Sequence, residues 1–161
     1  MVLIKIISFI TLLSTVLIAD IKVVNNAESN KSSYLKTLKG EKKIFVSSKD
    51  FGSSLSSRLY ENAERKKLVL YILGKRIKVS AGTSFLIIDD NPYQMIDAVQ
   101  EYNGDLYVPA ESFFDILRKV AIPGLRYDKR KEVLEFDVIR YNVRSLDIEE
   151  KSNGTIIRIN T

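Results

Sequence analysis

Two stretches of the chain share one pattern of hydrophobic and polar positions, in which a short apolar strand runs directly into an amphipathic helix. The first is IFVSSKDFGSSL at 44–55, and the second is LYVPAESFFDIL at 106–117. In each, a phenylalanine and a leucine lie four residues apart, which is the spacing of one helical face. The pattern predicts two helices that bury equivalent residues, namely Phe51 and Leu55 in the first and Phe113 and Leu117 in the second.

Both junctions contain a signal that starts a helix directly after the strand. Ser47 or Ser48 is the predicted cap of the first helix. This helix is predicted to extend to Leu59, because that residue continues the spacing of four. In the second junction, Pro109 falls in the first turn of the helix, where a proline is tolerated.

Apolar runs separated by short polar turns predict antiparallel hairpins between and after the two helices. The predicted strands are 68–72, 75–80, 85–89, 93–96, 125–127 and 133–136. Each copy of the pattern then reads strand, helix, polar turn and strand. The predicted fold class is α+β: a duplicated strand-helix-strand unit with antiparallel hairpins, followed by a β-hairpin that begins a β-sandwich.

The segment 1–19 has the pattern of a secretory signal peptide, with Lys5 ahead of an apolar run at 6–18 and a small residue, Ala19, at its end. The apolar run is shorter than the roughly 20 residues that a membrane span needs. Cleavage after Ala19 is predicted; an uncleaved anchor is the alternative, because Leu17 is larger than the residue usual at that position. The chain is therefore expected to be exported to the periplasm or cell envelope, with membrane contact only through the signal segment.

The remaining boundaries follow from composition. Residues 20–43 are polar and rich in Asn, Ser and Lys, which predicts a flexible tether in which only 21–24 could add an edge strand. Residues 44–136 contain both junctions and form the predicted main domain. Residues 137–161 hold two apolar strands around the turn 152–154, which predicts a separate hairpin.

The composition excludes several kinds of catalytic site and of covalent cross-link. The 161 residues include no histidine and no cysteine, so the chain lacks the commonest general base, disulfides and every Ser-His or Cys-His arrangement. Paired carboxylates could still perform acid and base catalysis. However, Asp89 and Asp90 lie in a predicted turn, and Glu149 and Glu150 point to opposite faces of a strand. The chain itself is therefore predicted not to be an enzyme.

The main domain contains a glycine-turn hairpin at Gly74, an apolar strand at 85–88, an Asp and Asn turn at 89–91, and the sequence GDLYVP at 104–109 before an apolar helix. In these features it resembles the copper amine oxidase N-terminal-like domain, which occurs in many exported bacterial wall proteins. The resemblance covers about 44–136. It does not imply copper binding, and the lack of histidine and cysteine agrees with that.

The predicted hairpin at 137–161 resembles the start of an AMIN domain, the β-sandwich that localises periplasmic N-acetylmuramoyl-L-alanine amidases. In this order, the two modules resemble the N-terminal portion of an exported cell-wall amidase. Such amidases cleave the bond between the muramoyl lactyl group and L-alanine with a zinc-bound water and with His and Glu ligands. Because the chain has no histidine, no cofactor is expected in it. Zinc and amidase activity are expected only in a catalytic domain of a longer parent protein.

The resemblance implies a non-catalytic envelope module that positions or binds the cell wall. The alternative is a structural stalk or protein-interaction domain without affinity for glycans. The expected partners are peptidoglycan or envelope proteins, and an exported chain is not expected to meet nucleic acid.

Basic residues are the main candidates for contact with wall polymers. The chain has 25 basic and 20 acidic side chains, so it is mildly basic and could attract carboxylates and phosphates, although interspersed acids favour ordinary solvated turns. Three tyrosines, Tyr93, Tyr102 and Tyr107, could stack on sugar rings but are expected to be half-buried. The candidate binding residues are Arg65, Lys66, Lys67, Lys75, Arg76, Lys78, Lys129, Arg130, Lys131 and Phe114.

Overall fold

The computed structural model describes residues 20–26, 31–40, 43–137 and 145–160, and the predicted signal segment at 1–19 lies outside them. The described residues form fifteen strands and two helices. In chain order these are β1 (Ile21–Asn25), β2 (Lys31–Leu35), β3 (Thr37–Lys39), β4 (Ile44–Ser47), α1 (Ser48–Ser54), β5 (Arg58–Asn62), β6 (Lys67–Ile72), β7 (Lys75–Ser80), β8 (Phe85–Ile88), β9 (Asn91–Gln94), β10 (Gln100–Tyr102), β11 (Asp105–Pro109), α2 (Ala110–Val120), β12 (Leu125–Asp128), β13 (Val133–Phe136), β14 (Ser145–Lys151) and β15 (Gly154–Asn160).

The predicted α+β fold is wrong, because the described chain is mostly β, with four sheets and only two short helices. The two junctions do not build a duplicated strand-helix-strand unit. The hairpin after α1, β5 and β6, belongs to a five-stranded sheet, whereas the hairpin after α2, β12 and β13, joins β1 and β2. Neither of the two helices has the length and apolar character needed to cross a membrane.

The two junctions meet in one four-stranded sheet with the order β10-β11-β4-β3. β4 and β11 are antiparallel neighbours, and Val46 lies opposite Val108 in their pairing. Each of these strands leads directly into a helix. The rings of Phe51 in α1 and Phe113 in α2 meet edge to face, with their centroids 5.2 Å apart.

The helices and the three larger sheets share one hydrophobic core. Strands β6 and β7 direct every second side chain into it, so Leu70 and Ile77 are fully buried. The helices add their apolar faces through Phe51, Phe113 and Leu117. Burial of this apolar surface is the main driving force for folding. Disulfides add nothing to the stability, because the chain has no cysteine.

The first helix is shorter than predicted. α1 ends at Ser54, and Leu59 lies in β5 instead of on the helix, with 38% of its side chain exposed. Gly52 and the serines around it have low helix propensity, and Ser56 adopts a positive φ of 52°, so the helix stops before the spacing of four is complete. The predicted cap is confirmed, since Ser47 accepts a hydrogen bond from the Asp50 backbone N–H at 3.0 Å.

The segment 20–43 differs from the expected tether, because three strands lie within it. β1 is an internal strand of the sheet β12-β13-β1-β2 and not an edge strand; it pairs parallel with β13. Ile21 and Val23 are fully buried. The start of the described chain is thus part of the folded domain.

The C-terminal hairpin consists of β14 and β15 and forms a sheet of its own. Leu146 lies opposite Ile159, and Ile148 lies opposite Ile157, so one face of the hairpin is aliphatic. These four side chains are between 54% and 62% exposed. The hairpin agrees with the predicted strands from Leu146 onward, while 138–144 lie outside the described residues. Its assignment to an AMIN domain stays a prediction.

Candidate binding face

The outer face of the five-stranded sheet is the candidate binding face of the described chain. Strands β5 to β9 are neighbours in sequence order and antiparallel throughout. Because successive side chains of a strand alternate between faces, the residues that do not enter the core line the opposite side. The side chains of this outer face are Arg58, Tyr60, Asn62, Lys67, Val69, Tyr71, Arg76, Lys78, Ser80, Phe85, Ile87, Pro92 and Gln94.

The register aligns these residues in rows across the sheet. One row crosses all five strands, because each residue lies directly opposite the next; it consists of Tyr60, Val69, Lys78, Ile87 and Pro92. Neighbouring strands lie about 4.8 Å apart, so this row is about 19 Å long. A parallel row begins with Arg58, Tyr71 and Arg76. The face is therefore long enough to contact several units of an extended polymer.

Two tyrosines project from the outer face. Tyr60 is 62% exposed and Tyr71 is 45% exposed. They lie on adjacent strands, in neighbouring rows, so they are diagonal neighbours on the same face. An exposed tyrosine offers a flat apolar ring with a polar hydroxyl at its edge, which suits stacking on a sugar ring.

Four cations surround the tyrosines. Arg58 and Lys67 form no ion pair with any residue that the structure describes. Arg76 and Lys78 both pair with Asp90, the latter at 2.9 Å. Among the described residues, the outer face thus has two cations without an ion pair and two that share one carboxylate, so its charge is positive.

The turn between β8 and β9 supplies the acids next to this face. Asp89 and Asp90 both have positive φ, at 46° and 69°, as two-residue hairpin turns require. Hydrogen bonds from Lys78, and then the charge of Arg76, hold the pKa of the Asp90 carboxyl below its usual value. The backbone N–H of Arg76, and then the Lys75 ammonium, lower the pKa of Asp89 in the same way. A carboxyl with a lowered pKa is a poor general acid at neutral pH.

The predicted basic residues of 65–78 lie on different parts of the five-stranded sheet. Lys67, Arg76 and Lys78 lie on the outer face, and Lys75 lies at its end, 2.8 Å from Asp89. Arg65 and Lys66 lie in the turn of the β5-β6 hairpin.

The other predicted group lies in a different sheet. Lys129, Arg130 and Lys131 form the turn between β12 and β13. Lys129 contacts Glu111, and Lys131 lies 3.7 Å from Asp128. The two basic turns that look equivalent in sequence therefore do not form one surface on a single sheet.

Phe114 lies in the core instead of on the surface. It is only 3% exposed, and its ring packs 5.8 Å from Phe51, 5.6 Å from Phe113 and 5.0 Å from Tyr127, between ring centroids. The expected exposed contact at Phe114 is therefore not present in the described chain.

Arg58, Tyr60 and Tyr71 were not among the predicted binding residues. The predicted extension of the first helix to Leu59 hid the alternation of exposed and inward residues from 58 to 62. Tyr71 lies in a strand that was predicted, but it was not considered as a binding residue. The tyrosines considered instead are less suitable: Tyr107 is buried, Tyr93 is partly buried, and Tyr102 is exposed but lies in another sheet. The low helix propensity of the serines at 53–57 was the available signal.

Comparison with protein-family models, with curated proteins and with solved structures gave no match. The resemblance to the copper amine oxidase N-terminal-like domain and to the AMIN domain therefore stays a prediction. Within the described ranges, no group of three or more acidic residues is arranged to hold a metal ion.

Proposed function

We propose that the chain is an exported, non-catalytic module that binds the cell wall through the outer face of the five-stranded sheet. The observation that carries this proposal is the combination of two exposed tyrosines, Tyr60 and Tyr71, with four cations on one face of the sheet. Aromatic rings can stack on sugars, and cations attract the carboxylates and phosphates of wall polymers. The signal-like segment 1–19 supports export.

The wall polymer is expected to lie along the rows of the outer face. Its anionic groups would pair with Arg58 and Lys67, which have no acidic partner among the described residues, and its sugar rings would lie on the tyrosines. Contacts between exposed charges are weak individually and are screened beyond about 8 Å at physiological ionic strength. Binding is therefore modest and decreases as salt rises.

Co-sedimentation with purified peptidoglycan sacculi tests the proposal. We compare the unmodified chain with the triple variant Arg58→Gln, Lys67→Gln and Lys78→Gln. The control is Lys129→Gln, Arg130→Gln and Lys131→Gln, which removes the same charge from the turn of another sheet. The outer-face variant should bind at least about tenfold more weakly, since three exposed contacts of about 0.5 kcal/mol each add up to this factor.

Two results would contradict the wall-binding proposal. Equal losses in both triple variants would show that net charge, and not the outer face, determines binding. Absence of co-sedimentation at any salt concentration would favour the structural alternative. Release of stem peptide from the same sacculi in the presence of zinc, above background, would contradict the non-catalytic part of the proposal.

A structural or protein-interaction role is the second candidate function. It is favoured by the aliphatic face of the β14-β15 hairpin, where Leu146, Ile148, Ile157 and Ile159 are exposed. A two-stranded hairpin is only marginally stable alone in water, so this face is suited to contact with other protein. Cross-linking of the hairpin to an envelope protein, without any sacculus binding, would support this candidate.

A further inference from the structure

The C-terminal hairpin has the longest unpaired strand edges in the described chain. β14 and β15 form a sheet of two strands, so each has one edge without a strand partner among the described residues. Both strands have seven residues, whereas the edge strands of the other sheets have three to five. An unpaired edge exposes a row of backbone N–H and C=O groups that can pair with another strand. The hairpin is therefore well suited to the addition of a strand.

The two edges of the hairpin differ in sequence. β15 contains TIIRI at 155–159, in which four of the five residues are β-branched and only Arg158 is charged. β-branched residues favour strands, and charged side chains are a common protection of natural strand edges. β14 has the sequence SLDIEEK, with three acids and one base. The β15 edge is therefore the less protected of the two.

The hairpin does not bury its own aliphatic face. Leu146, Ile148, Ile157 and Ile159 share this face and are between 54% and 62% exposed. None of these four belongs to the hydrophobic core of the described chain. A two-stranded unit is only marginally stable in water, and three or more strands with a hydrophobic face are needed for independent stability. Pairing along the β15 edge would supply the missing strands.

A second copy of β15 fits this edge in an antiparallel register. When the two-fold axis passes through Ile157, this residue lies opposite its own counterpart, and Thr155 lies opposite Ile159 of the second copy. Opposed positions then differ by an even number of residues, so the aliphatic side chains of both copies lie on the same face of the sheet. On the other face, Arg158 lies opposite Ile156 of the second copy, so the two arginines do not face each other. The β15 edge is thus self-complementary.

The corresponding pairing at the β14 edge would oppose like charges. Two registers place Ile148 beside an aliphatic residue of the second copy, either Leu146 or Ile148 itself. In the first, Asp147 lies opposite its own counterpart; in the second, it lies opposite Glu149. Like charges directly opposite each other destabilise a strand pair. Pairing of β14 with β15 would be heterologous and would leave a free edge at each end, so it would give open chains instead of a closed dimer.

We propose that two copies of the chain associate through their β15 strands, so that the two hairpins form one antiparallel sheet with the order β14-β15-β15-β14. The aliphatic side chains of both hairpins then form one continuous face. A single pair of short strands buries less than the about 1,200 Å² of a standard interface. The dimer is therefore weak, with a dissociation constant between about 10 µM and 1 mM. This inference goes beyond wall binding and does not depend on it, because association is measured on the chain alone.

A single introduced cysteine tests the register, because the chain has none of its own. Ile157→Cys should form a disulfide-linked dimer under mild oxidation, since the α-carbons of opposed residues are about 4.5 to 5.5 Å apart, within disulfide range. Ile148→Cys is the matched control, because Ile148 is similarly exposed and lies on the same face. In the proposed sheet its two copies are three strand spacings apart, about 14 Å, which is too far for a disulfide.

The cross-linked dimer is measured by non-reducing gel electrophoresis. Ile157→Cys should be linked and Ile148→Cys should remain monomeric. Equal linking of both variants would indicate stacked aliphatic faces and would overturn the edge pairing. No linking of Ile157→Cys would overturn it as well.

Analytical ultracentrifugation tests the association without cross-linking. The unmodified chain should show a monomer–dimer equilibrium between about 10 µM and 1 mM. Ile157→Lys should weaken the dimer at least about tenfold, because two ammonium groups then face each other at the axis. Ile148→Lys adds the same charge to the outer strand and should change the dissociation constant by less than about threefold. A monomeric unmodified chain at about 1 mM, or equal losses in the two variants, would overturn the inference.

A mixture of variants separates opposed charge from unfolding of the hairpin. Ile157→Glu should also fail to associate alone, whereas an equimolar mixture with Ile157→Lys should associate, because opposite charges then face each other across the axis. Restored association in the mixture supports the register. No gain in the mixture, together with no disulfide in Ile157→Cys, would overturn it.

Discussion

Phe51 and Phe113 form an edge-to-face pair, with ring centroids 5.2 Å apart and planes at 79°, although 62 residues separate them in sequence. They hold equivalent positions in the two strand-helix junctions, and Val46 and Val108, which are also equivalent, lie opposite each other in the β4-β11 pair. The two junctions therefore pack against each other: α1 lies against β11, and α2 lies against β4.

Replacing Phe113 with Ala is expected to lower the free energy of unfolding by about 3 to 5 kcal/mol, because its fully buried ring leaves a cavity. Chemical denaturation followed by circular dichroism measures the change. Ile96→Ala is the control: Ile96 is 77% exposed, so its loss should cost less than about 0.5 kcal/mol. A cost below about 1 kcal/mol for Phe113→Ala would contradict the central place of this ring in the core.

Local pattern was sufficient to predict the two junctions, because strand and helix periodicities change directly at Ser48 and Ala110. It was insufficient for the sheets, whose strand partners are distant in sequence. β1 pairs parallel with β13, across most of the chain, and no local signal in the polar segment 20–43 indicates that partner. The fold class was therefore mistaken even though both junctions were recognised.

The candidate binding face was only partly predictable, because it also depends on how the strands pair. Lys67, Arg76 and Lys78 stand out as basic residues in the sequence, but their shared face follows only from the strand register. Arg58 and Tyr60 were missed because the helix was extended too far. The pairing of Asp90 with two of the cations depends on a turn conformation with positive φ.

Replacing Asp90 with Asn is expected to strengthen binding to sacculi about two- to fivefold at low salt. The change releases Arg76 and Lys78 from their shared carboxylate, so both cations can attract the anionic groups of the wall. The gain is small because exposed ion pairs are weak. Asn tolerates the positive φ of this position. Salt-dependent co-sedimentation is the measurement.

Asp97→Asn is the matched control for this prediction. It also removes one negative charge, but Asp97 pairs with Lys43 at 2.6 Å and does not belong to the outer face. Its effect on sacculus binding should be small. Equal strengthening by both variants would mean that overall charge, and not release of the two cations, is responsible.

Tyr127 is expected to make stability depend on pH in the alkaline range. Its hydroxyl is buried without a hydrogen-bond partner in the described chain, and burial, with the nearby charge of Glu132, raises its pKa to about 12. The Tyr127 hydroxyl loses its proton near pH 10.0 in the unfolded chain but only near pH 12 in the folded chain. The stability linked to this proton is therefore fully present below pH 10 and is lost as the pH rises through about 12. The free energy of unfolding should fall across this interval.

Tyr127→Phe is the control for the pH dependence, since phenylalanine cannot ionise. Its stability should fall less between pH 10 and 12, and at neutral pH it should remain within about 1 kcal/mol of the unmodified chain, because no hydrogen bond is lost. Urea denaturation at each pH provides the comparison. Parallel decreases in both proteins would assign the alkaline loss to other groups.

Replacing Gly124 with Ala is expected to destabilise the turn that closes α2 onto β12. A β-carbon at this position would lie 1.7 Å from the backbone carbonyl oxygen of Asp137, and the Asp137 N–H donates to the Gly124 carbonyl at 3.1 Å. The two segments must separate to admit the methyl group. We expect a loss of about 1 to 3 kcal/mol in the free energy of unfolding, as for other overpacked sites. Gly40→Ala is the control, because its nearest atom would be 3.8 Å away, an ordinary contact. Equal stability of the two variants in chemical denaturation would show that this turn can open without cost.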